Sequence, residues 1–302
     1  MLHRFRRFIP VIVLGLAILT FGQTTTFAQA NDSQAITLTP ASTDISVDPG
    51  ASTTKTVSVI NGGSERFNVT LTSAPYHVIG SHYDPQFTQL PGTVDASEWV
   101  TLSEKKATVE ASKTTTIPYT ISIPKNTAPG GYYAIIFAET SNESEGTGVV
   151  SHNRVGNILY ITVNGEIKSG GNLAGNTLPS FSFGGPISIG TTISNSGGTH
   201  FVTNTNYTIK DLGGNEVFKY TAERYVLPQT QRDITYEWTP KALIGVFTVH
   251  RTATIAGESK SLPDQKIFMI NPGLLVAITF FLGLLIGLPL QRLRRRRRLK
   301  EK

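Results

Sequence analysis

Between residues 31 and 271 the sequence is built of short runs in which apolar side chains recur at every second position, and no sustained helical period appears in that stretch. Phe67-Asn68-Val69-Thr70-Leu71, Ile117-Pro118-Tyr119-Thr120-Ile121-Ser122-Ile123 and Ile187-Ser188-Ile189-Gly190-Thr191-Thr192-Ile193 are three such runs. Alternation of this kind places one face of a strand on a core and the other in water. Clusters of Thr, Ser, Asn and Gly separate the runs, and many short strands broken by turns are the pattern of β-sandwiches. About 240 residues of such sequence suit two domains better than one.

Both ends of the chain differ sharply from this middle. Arg4, Arg6 and Arg7 precede an uncharged apolar run over residues 8–21, which leads to Ala28-Gln29-Ala30. That is the three-part pattern of a secretory signal peptide, with cleavage expected after Ala30. At the other end, residues 272–290 carry no charge, long enough to cross a hydrocarbon layer of roughly 30 Å. Arg292, Arg294 to Arg298, Lys300 and Lys302 follow at once, and such clusters stay cytoplasmic. The expected arrangement is a single-pass protein of a bacterial plasma membrane, N-terminus outside and C-terminus inside.

The resulting fold class is all-β, two tandem immunoglobulin-like β-sandwich domains plus one C-terminal transmembrane helix. The expected divisions are a signal peptide (1–30), a first sandwich (31–164), a linker (165–176), a second sandwich (177–266), the helix (267–290) and a basic tail (291–302). The linker contains Gly165, Ser169, Gly170 and Gly171, a composition that permits hinge motion.

An internal echo supports two related domains. Val57-Ser58-Val59-Ile60-Asn61-Gly62-Gly63-Ser64 resembles Thr192-Ile193-Ser194-Asn195-Ser196-Gly197-Gly198-Thr199, each a strand running into a Gly turn. Further on, residues 117–125 resemble residues 234–241, each followed by Gly and an aromatic strand. On this alignment the first copy carries about 18 additional residues, and they fall most naturally within residues 76–99. Insertions on a rigid sandwich are where binding residues gather. Tyr76, Tyr83 and Phe87 lie there among Gly, Pro, His and Ser and are the candidate ligand-binding rings, whereas Trp99 reads as core.

Charge excludes nucleic acid as a partner. The 27 Lys and Arg residues exceed the 21 Asp and Glu, but three of the basic residues lie before residue 8 and eight beyond residue 291. The middle keeps 16 basic against 20 acidic residues and offers no basic stripe for phosphates. No enzyme is expected, because no convergent set of titratable groups appears. Nor is a cofactor expected: there is no phosphate-cradling loop, and no Gly-x-Ser-x-Gly elbow. No metal is expected either, since His77 and His82 alone approach ligand spacing and there is no cysteine. The absence of cysteine fits an exporting bacterium that does not rely on disulfides. A covalent wall-anchoring signal is also missing, because Leu262-Pro263-Asp264-Gln265-Lys266 lacks the Thr and Gly of Leu-Pro-x-Thr-Gly.

Several short stretches resemble the peptidoglycan-binding domain of WxL-interacting surface proteins. They are Ile36-Thr37-Leu38-Thr39-Pro40-Ala41, Val47-Asp48-Pro49-Gly50 leading into Thr56-Val57-Ser58-Val59-Ile60-Asn61, Gly80-Ser81-His82-Tyr83, Ile121-Ser122-Ile123-Pro124 and Gly130-Gly131-Tyr132-Tyr133-Ala134-Ile135-Ile136-Phe137. The resemblance covers roughly residues 36–164. It implies a membrane-anchored, non-enzymatic binding or scaffold protein that associates with cell-wall peptidoglycan or with wall-associated surface proteins. The alternative is an accessory subunit of a membrane complex, assembled through the ectodomain and the helix. Gly283 and Gly287, four apart, are the candidate contact of a helix-mediated dimer.

Overall fold

The computed structural model describes residues 36–141 and 153–300. The expected signal peptide (1–30) and most of the acidic stretch expected as a loop over residues 139–157 lie outside the described residues.

The first domain packs two sheets face to face. One contains β1 (Ile36–Thr39), β3 (Ser52–Asn61), β9 (Thr114–Ser122) and β7 (Val100–Leu102), in the order β1-β3-β9-β7. The other runs β2-β11-β10-β4-β8, from β2 (Ser42–Val47), β11 (Arg154–Val163), β10 (Gly130–Ser141), β4 (Phe67–Pro75) and β8 (Lys106–Val109). The alternation seen in sequence is the one that fills the core: Ile117, Tyr119, Ile121 and Ile123 face inward, as do Phe67, Val69 and Leu71 across from them. Trp99 joins this core from the end of a 3-10 turn (Ala96–Trp99), just ahead of β7, with its ring 4.8 Å from that of Tyr132.

The second domain repeats the two-sheet plan with a different strand count. β12 (Gly171–Gly175), β14 (Ile187–Asn195) and β17 (Gln231–Trp238) form one sheet in the order β12-β14-β17. β13 (Phe181–Ser182), β20 (Gln265–Ile270), β18 (Ile244–Ile255), β15 (Phe201–Lys210) and β16 (Glu216–Val226) form the other, in the order β13-β20-β18-β15-β16, with β19 (Glu258–Ser261) added to β18. Each domain contains one parallel pair at an equivalent place, β2 with β11 and β13 with β20.

The echoed Asn-x-Gly turns are the same device twice. Asn61 Oδ1 accepts from Gly63 N (2.9 Å), while its Nδ2 donates to Glu65 O (2.8 Å) and Val109 O (3.1 Å). Asn195 Oδ1 accepts from Gly197 N (2.8 Å), and its Nδ2 donates to Thr199 O and Val226 O, both at 2.8 Å. Both side chains are buried, so each amide satisfies backbone groups that would otherwise lose water without a partner. The excess of the first copy lies between β4 and β8, where a hairpin of β5 (His77–Ile79) and β6 (Asp84–Gln86), the 3-10 turn and β7 have no counterpart between β15 and β16.

Three boundaries differ from the sequence reading. The Gly-rich stretch 165–176 is not a free hinge: residues 171–175 are β12, and Ser196 N and Gly198 N donate to Gly170 O and Lys168 O. Residues 267–270 are strand rather than helix, because Ile267 and Met269 point into the core beside β18. The helix α1 (Pro272–Lys300) begins two residues after β20 ends. Asn271 caps it, its Oδ1 accepting from Gly273 N at 2.8 Å, and Pro272 occupies the first position, where its missing N–H costs nothing. The stretch Pro272–Leu290 has a mean hydropathy of 2.4 and is not buried against the rest of the chain. At 1.5 Å per residue it spans about 28 Å, the thickness of a hydrocarbon core.

Candidate functional site at the interdomain elbow

The insertion between β4 and β8 does not project into solvent; it folds over the junction of the two domains. Gly80 and Tyr83 turn the β5–β6 hairpin in the left-handed region, with φ of 66° and 65°. For Tyr83 this conformation costs about 1–2 kcal/mol, and contacts with the second domain offset it. Its Oη accepts from Leu227 N at 2.8 Å and lies 2.5 Å from Thr230 Oγ1. The guanidinium of Arg232 sits 4.2 Å from the centre of the same ring, a cation–π arrangement. Nearby, Asp233 N donates to Ser81 O at 2.8 Å. Hydrogen bonds from Ser81, then Thr192, hold the Asp233 carboxyl below its ordinary range.

A second layer joins the sandwiches directly. Gly131 N donates to Gly198 O (2.9 Å), and a Cβ at residue 131 would overlap Tyr133 Oη and lie 3.0 Å from Thr199 Cα, so only Gly permits this approach. Tyr133 Oη accepts from His200 N (3.0 Å), and His200 Nε2 lies 3.3 Å from Asp44 Oδ1. That hydrogen bond to His200 is the main reason the Asp44 carboxyl is held below its usual value. Tyr160 stacks on Tyr225 with 3.9 Å between ring centres and 8° between planes. Burial pushes the phenols of Tyr83, Tyr133 and Tyr160 upward, so all three are neutral donors or acceptors near neutral pH.

The three rings proposed from sequence therefore have internal partners. Tyr83 is 8% exposed and committed to the second domain; Phe87 packs edge-on against Phe137 with centres 4.9 Å apart; Tyr76 is 9% exposed within the same cluster. Tyr83 is closed off from solvent in this arrangement, whereas Phe87 is half-buried. Tyr76 also forms part of the wall of a cleft of about 310 Å³, together with Leu90, Val94, Tyr132, Leu227 and Pro228. No Asp, Glu, Lys or Arg lines that cleft. Its lip is shaped by a turn in which Thr93 N donates to Leu90 O (3.2 Å) and Gln89 Nε2 donates to Thr93 O (2.6 Å). Among the described residues, the large apolar side chains that domain one exposes most are Ile79, Leu90 and Val94, all in the insertion.

Among the described residues no group of three or more His, Cys, Asp or Glu side chains could hold a metal ion. His77 pairs with Gln86 across the hairpin, and His82 lies at its tip. Gly283 and Gly287 lie in α1, where a Cβ added to either would meet nothing within 4 Å, so the chain itself makes no use of their smallness. The residues that sequence reasoning passed over, chiefly Asp44, His200, Leu227 and Arg232, meet across more than 140 positions. The one local signal was Gly130-Gly131, which marks a close backbone approach.

No family model and no curated protein matches the chain. Solved structures with a similar course include the class 5 fimbriae chaperone CfaA, at 12% identity and a TM-score of 0.40, covering 78% of this chain and 99% of that one. The E. coli chaperone DraB is similar at 12% identity and a TM-score of 0.38, covering 78% and 98%. A chain of the CsuC–CsuE chaperone–tip adhesion subunit pre-assembly complex of Acinetobacter baumannii matches at 10% identity and 0.40, covering 78% and 99%. At these identities the likeness is one of fold. The resemblance to WxL-interacting proteins is overturned: no model of that family matches the chain. The physical reason lies in the quoted motifs. Asn61 and its Gly turn recur in domain two as Asn195, and Gly50 serves a tight turn at φ 78°, so these residues specify strands and turns of a sandwich rather than a ligand.

Proposed function

We propose that this protein is a non-enzymatic binding protein of the cell envelope, tethered by α1 in the plasma membrane with its ectodomain outside, and that the elbow cleft receives an apolar segment of a wall-associated protein. The observation that carries this reading is the composition of the cleft and its lip. Leu90 and Val94 are exposed at a hollow that no Asp, Glu, Lys or Arg lines, where Tyr76, Tyr132, Leu227 and Pro228 supply apolar wall and Thr88, Gln89 and Thr230 supply uncharged polar groups, a mixture that suits a protein segment. The cross-domain contacts of Tyr83, Tyr133 and His200 hold the two walls of the cleft in register, so the site is preformed and little ordering is needed on binding.

The test uses the full chain in lipid nanodiscs and purified cell-wall fragments, either untreated or stripped of protein by protease. Binding to untreated wall, lost on stripping and weakened about tenfold or more by Leu90→Asp with Val94→Asp, is the expected result. Retention on stripped wall makes the glycan the ligand. Binding that is unchanged in the double variant removes the cleft from the site.

A further inference from the structure

We propose that the end of domain two nearest α1 is itself a membrane-docking surface, seated in the headgroup and acyl boundary of a phospholipid bilayer. The inference rests on the reading of α1 as a membrane span. In domain two, the described large apolar side chains that are strongly exposed are not scattered. Phe183 and Leu212 occupy the turns that follow β13 and β15, Leu243 ends the 239–243 turn between β17 and β18, and Phe183 and Leu243 are 63% and 58% exposed. Phe181, Val217, Ile244 and Phe268 flank them on the adjoining strand ends.

Strand register places these residues at one end. Ile244 opens β18 opposite Ile270, the last residue of β20, and Phe181 pairs with Phe268. Val217 and Ala242 line one shallow cleft, which brings the β15–β16 hairpin beside the 239–243 turn. The same end is where the chain enters its apolar helix. Asn271 N donates to Leu243 O at 2.6 Å, and a Cβ on Gly184 would lie 3.3 Å from Pro272 Cδ, so two of the three turns abut the first residues of α1.

Exposed apolar clusters of this kind require a cover, and continuity with α1 says which. Once the helix spans a bilayer, Phe183 and Leu243 are held within a few ångströms of its surface, so docking is intramolecular and its effective concentration is high. Apolar groups at that depth enter the outer 5–10 Å of the lipid layer, roughly as interfacial helices do. Lys241, in the same turn, reaches outward to headgroup phosphates. β18 runs the length of the domain from this end toward the elbow, about 40 Å at 3.3 Å per residue, and so holds domain one clear of the membrane.

Because the chain has no cysteine, single cysteines report cleanly. The full-length protein with Phe183→Cys, Leu243→Cys, Val276→Cys or Glu258→Cys, each with a polarity-sensitive fluorophore, is reconstituted into phosphatidylcholine–phosphatidylglycerol vesicles carrying nitroxides at the headgroup or deep in the acyl chain. Docking gives blue-shifted emission at 183 and 243, quenched by the headgroup nitroxide, with 276 quenched by the deep nitroxide and 258 quenched by neither. Quenching at 276 while 183 and 243 behave like 258 overturns the docking and leaves the anchor standing. No quenching at 276 overturns the anchor and the docking with it. Shielding at 183 and 243 without lipid quenching assigns the surface to a protein neighbour and likewise overturns the proposal.

Discussion

Replacing Tyr83 by Phe removes one oxygen and leaves the ring, so it isolates the hydrogen bonds that close the elbow. The Oη accepts from Leu227 N and meets Thr230 Oγ1, and Thr230 Oγ1 in turn donates to Leu227 O at 2.8 Å. Without the hydroxyl, Leu227 N–H stays buried with no partner, a loss of about 1–3 kcal/mol. At about 1.4 kcal/mol per factor of ten, the ratio of docked to undocked domains falls about 5- to 150-fold. The Phe ring keeps its packing and its contact with Arg232, so neither sandwich core is touched. Tyr83→Ala removes the ring as well and belongs to the range of about 3–5 kcal/mol for deleting a buried aromatic. Amide hydrogen exchange at Leu227, together with denaturant unfolding, reads both effects. Faster exchange at Leu227 and a single transition that separates into two are expected, since each domain has its own core. If Tyr83→Phe leaves the Leu227 amide protected as in the parent protein, with one unfolding transition, the hydroxyl does not hold the elbow and the reasoning fails.

The paired Asn turns should be energetic equals: Asn61→Ala and Asn195→Ala each leave two carbonyls and an amide without their partner and should each cost about 2–3 kcal/mol in domain stability, measured by urea unfolding. Asp44 has a lowered carboxyl pKa in the folded state, so its stabilising contribution is complete above the ordinary value of roughly 3.9 and is lost as pH falls through the lowered one. Asp44→Asn should therefore flatten the acid limb of the stability profile below about pH 4, and an unchanged limb would exclude the His200 contact as its source. Arg251 is buried and donates to Asn176 O and Oδ1, Gly190 O and Gln265 Oε1 at 2.7–3.0 Å with no carboxylate in that set; Arg251→Met should lower the melting temperature of domain two through about 2–4 kcal/mol of unpaired acceptors, while domain one melts as before.

Period-two alternation was enough to establish the strands, because whether a side chain faces core or water is set by its own position in a pleated strand. The same holds for the uncharged stretch Pro272–Leu290 of α1, whose length and lack of charge are local properties, and for the local half of each Asn turn, whose partners at i+2 and i+4 are near in sequence while Val109 O and Val226 O are not. What composition could not convey was which strand ends meet. The Gly-rich stretch 165–176 reads as flexible from its residues alone, yet the backbone of β14 and the turn after it hold it in place. Residues 267–270 read as the start of the helix because Ile, Phe, Met and Ile suit lipid and core alike, and only pairing with β18 decides for the core.

The insertion shows the same division at the site. Its position and its apolar content were legible as excess sequence between two echoed segments, but the roles of its side chains were not. Tyr76, Tyr83 and Phe87 all look like free rings beside Gly and Pro, but Tyr83 is taken up by Leu227, Thr230 and Arg232, which arrive from about 150 residues away, and Phe87 packs on Tyr76 and Phe137. Smaller neighbours, Leu90 and Val94, are left facing solvent instead. Local sequence determines what a segment is able to bury, since hydrophobicity and strand period belong to the residues themselves. Which of those groups are in fact buried depends on the surface that closes over them, and here that surface comes from the other domain.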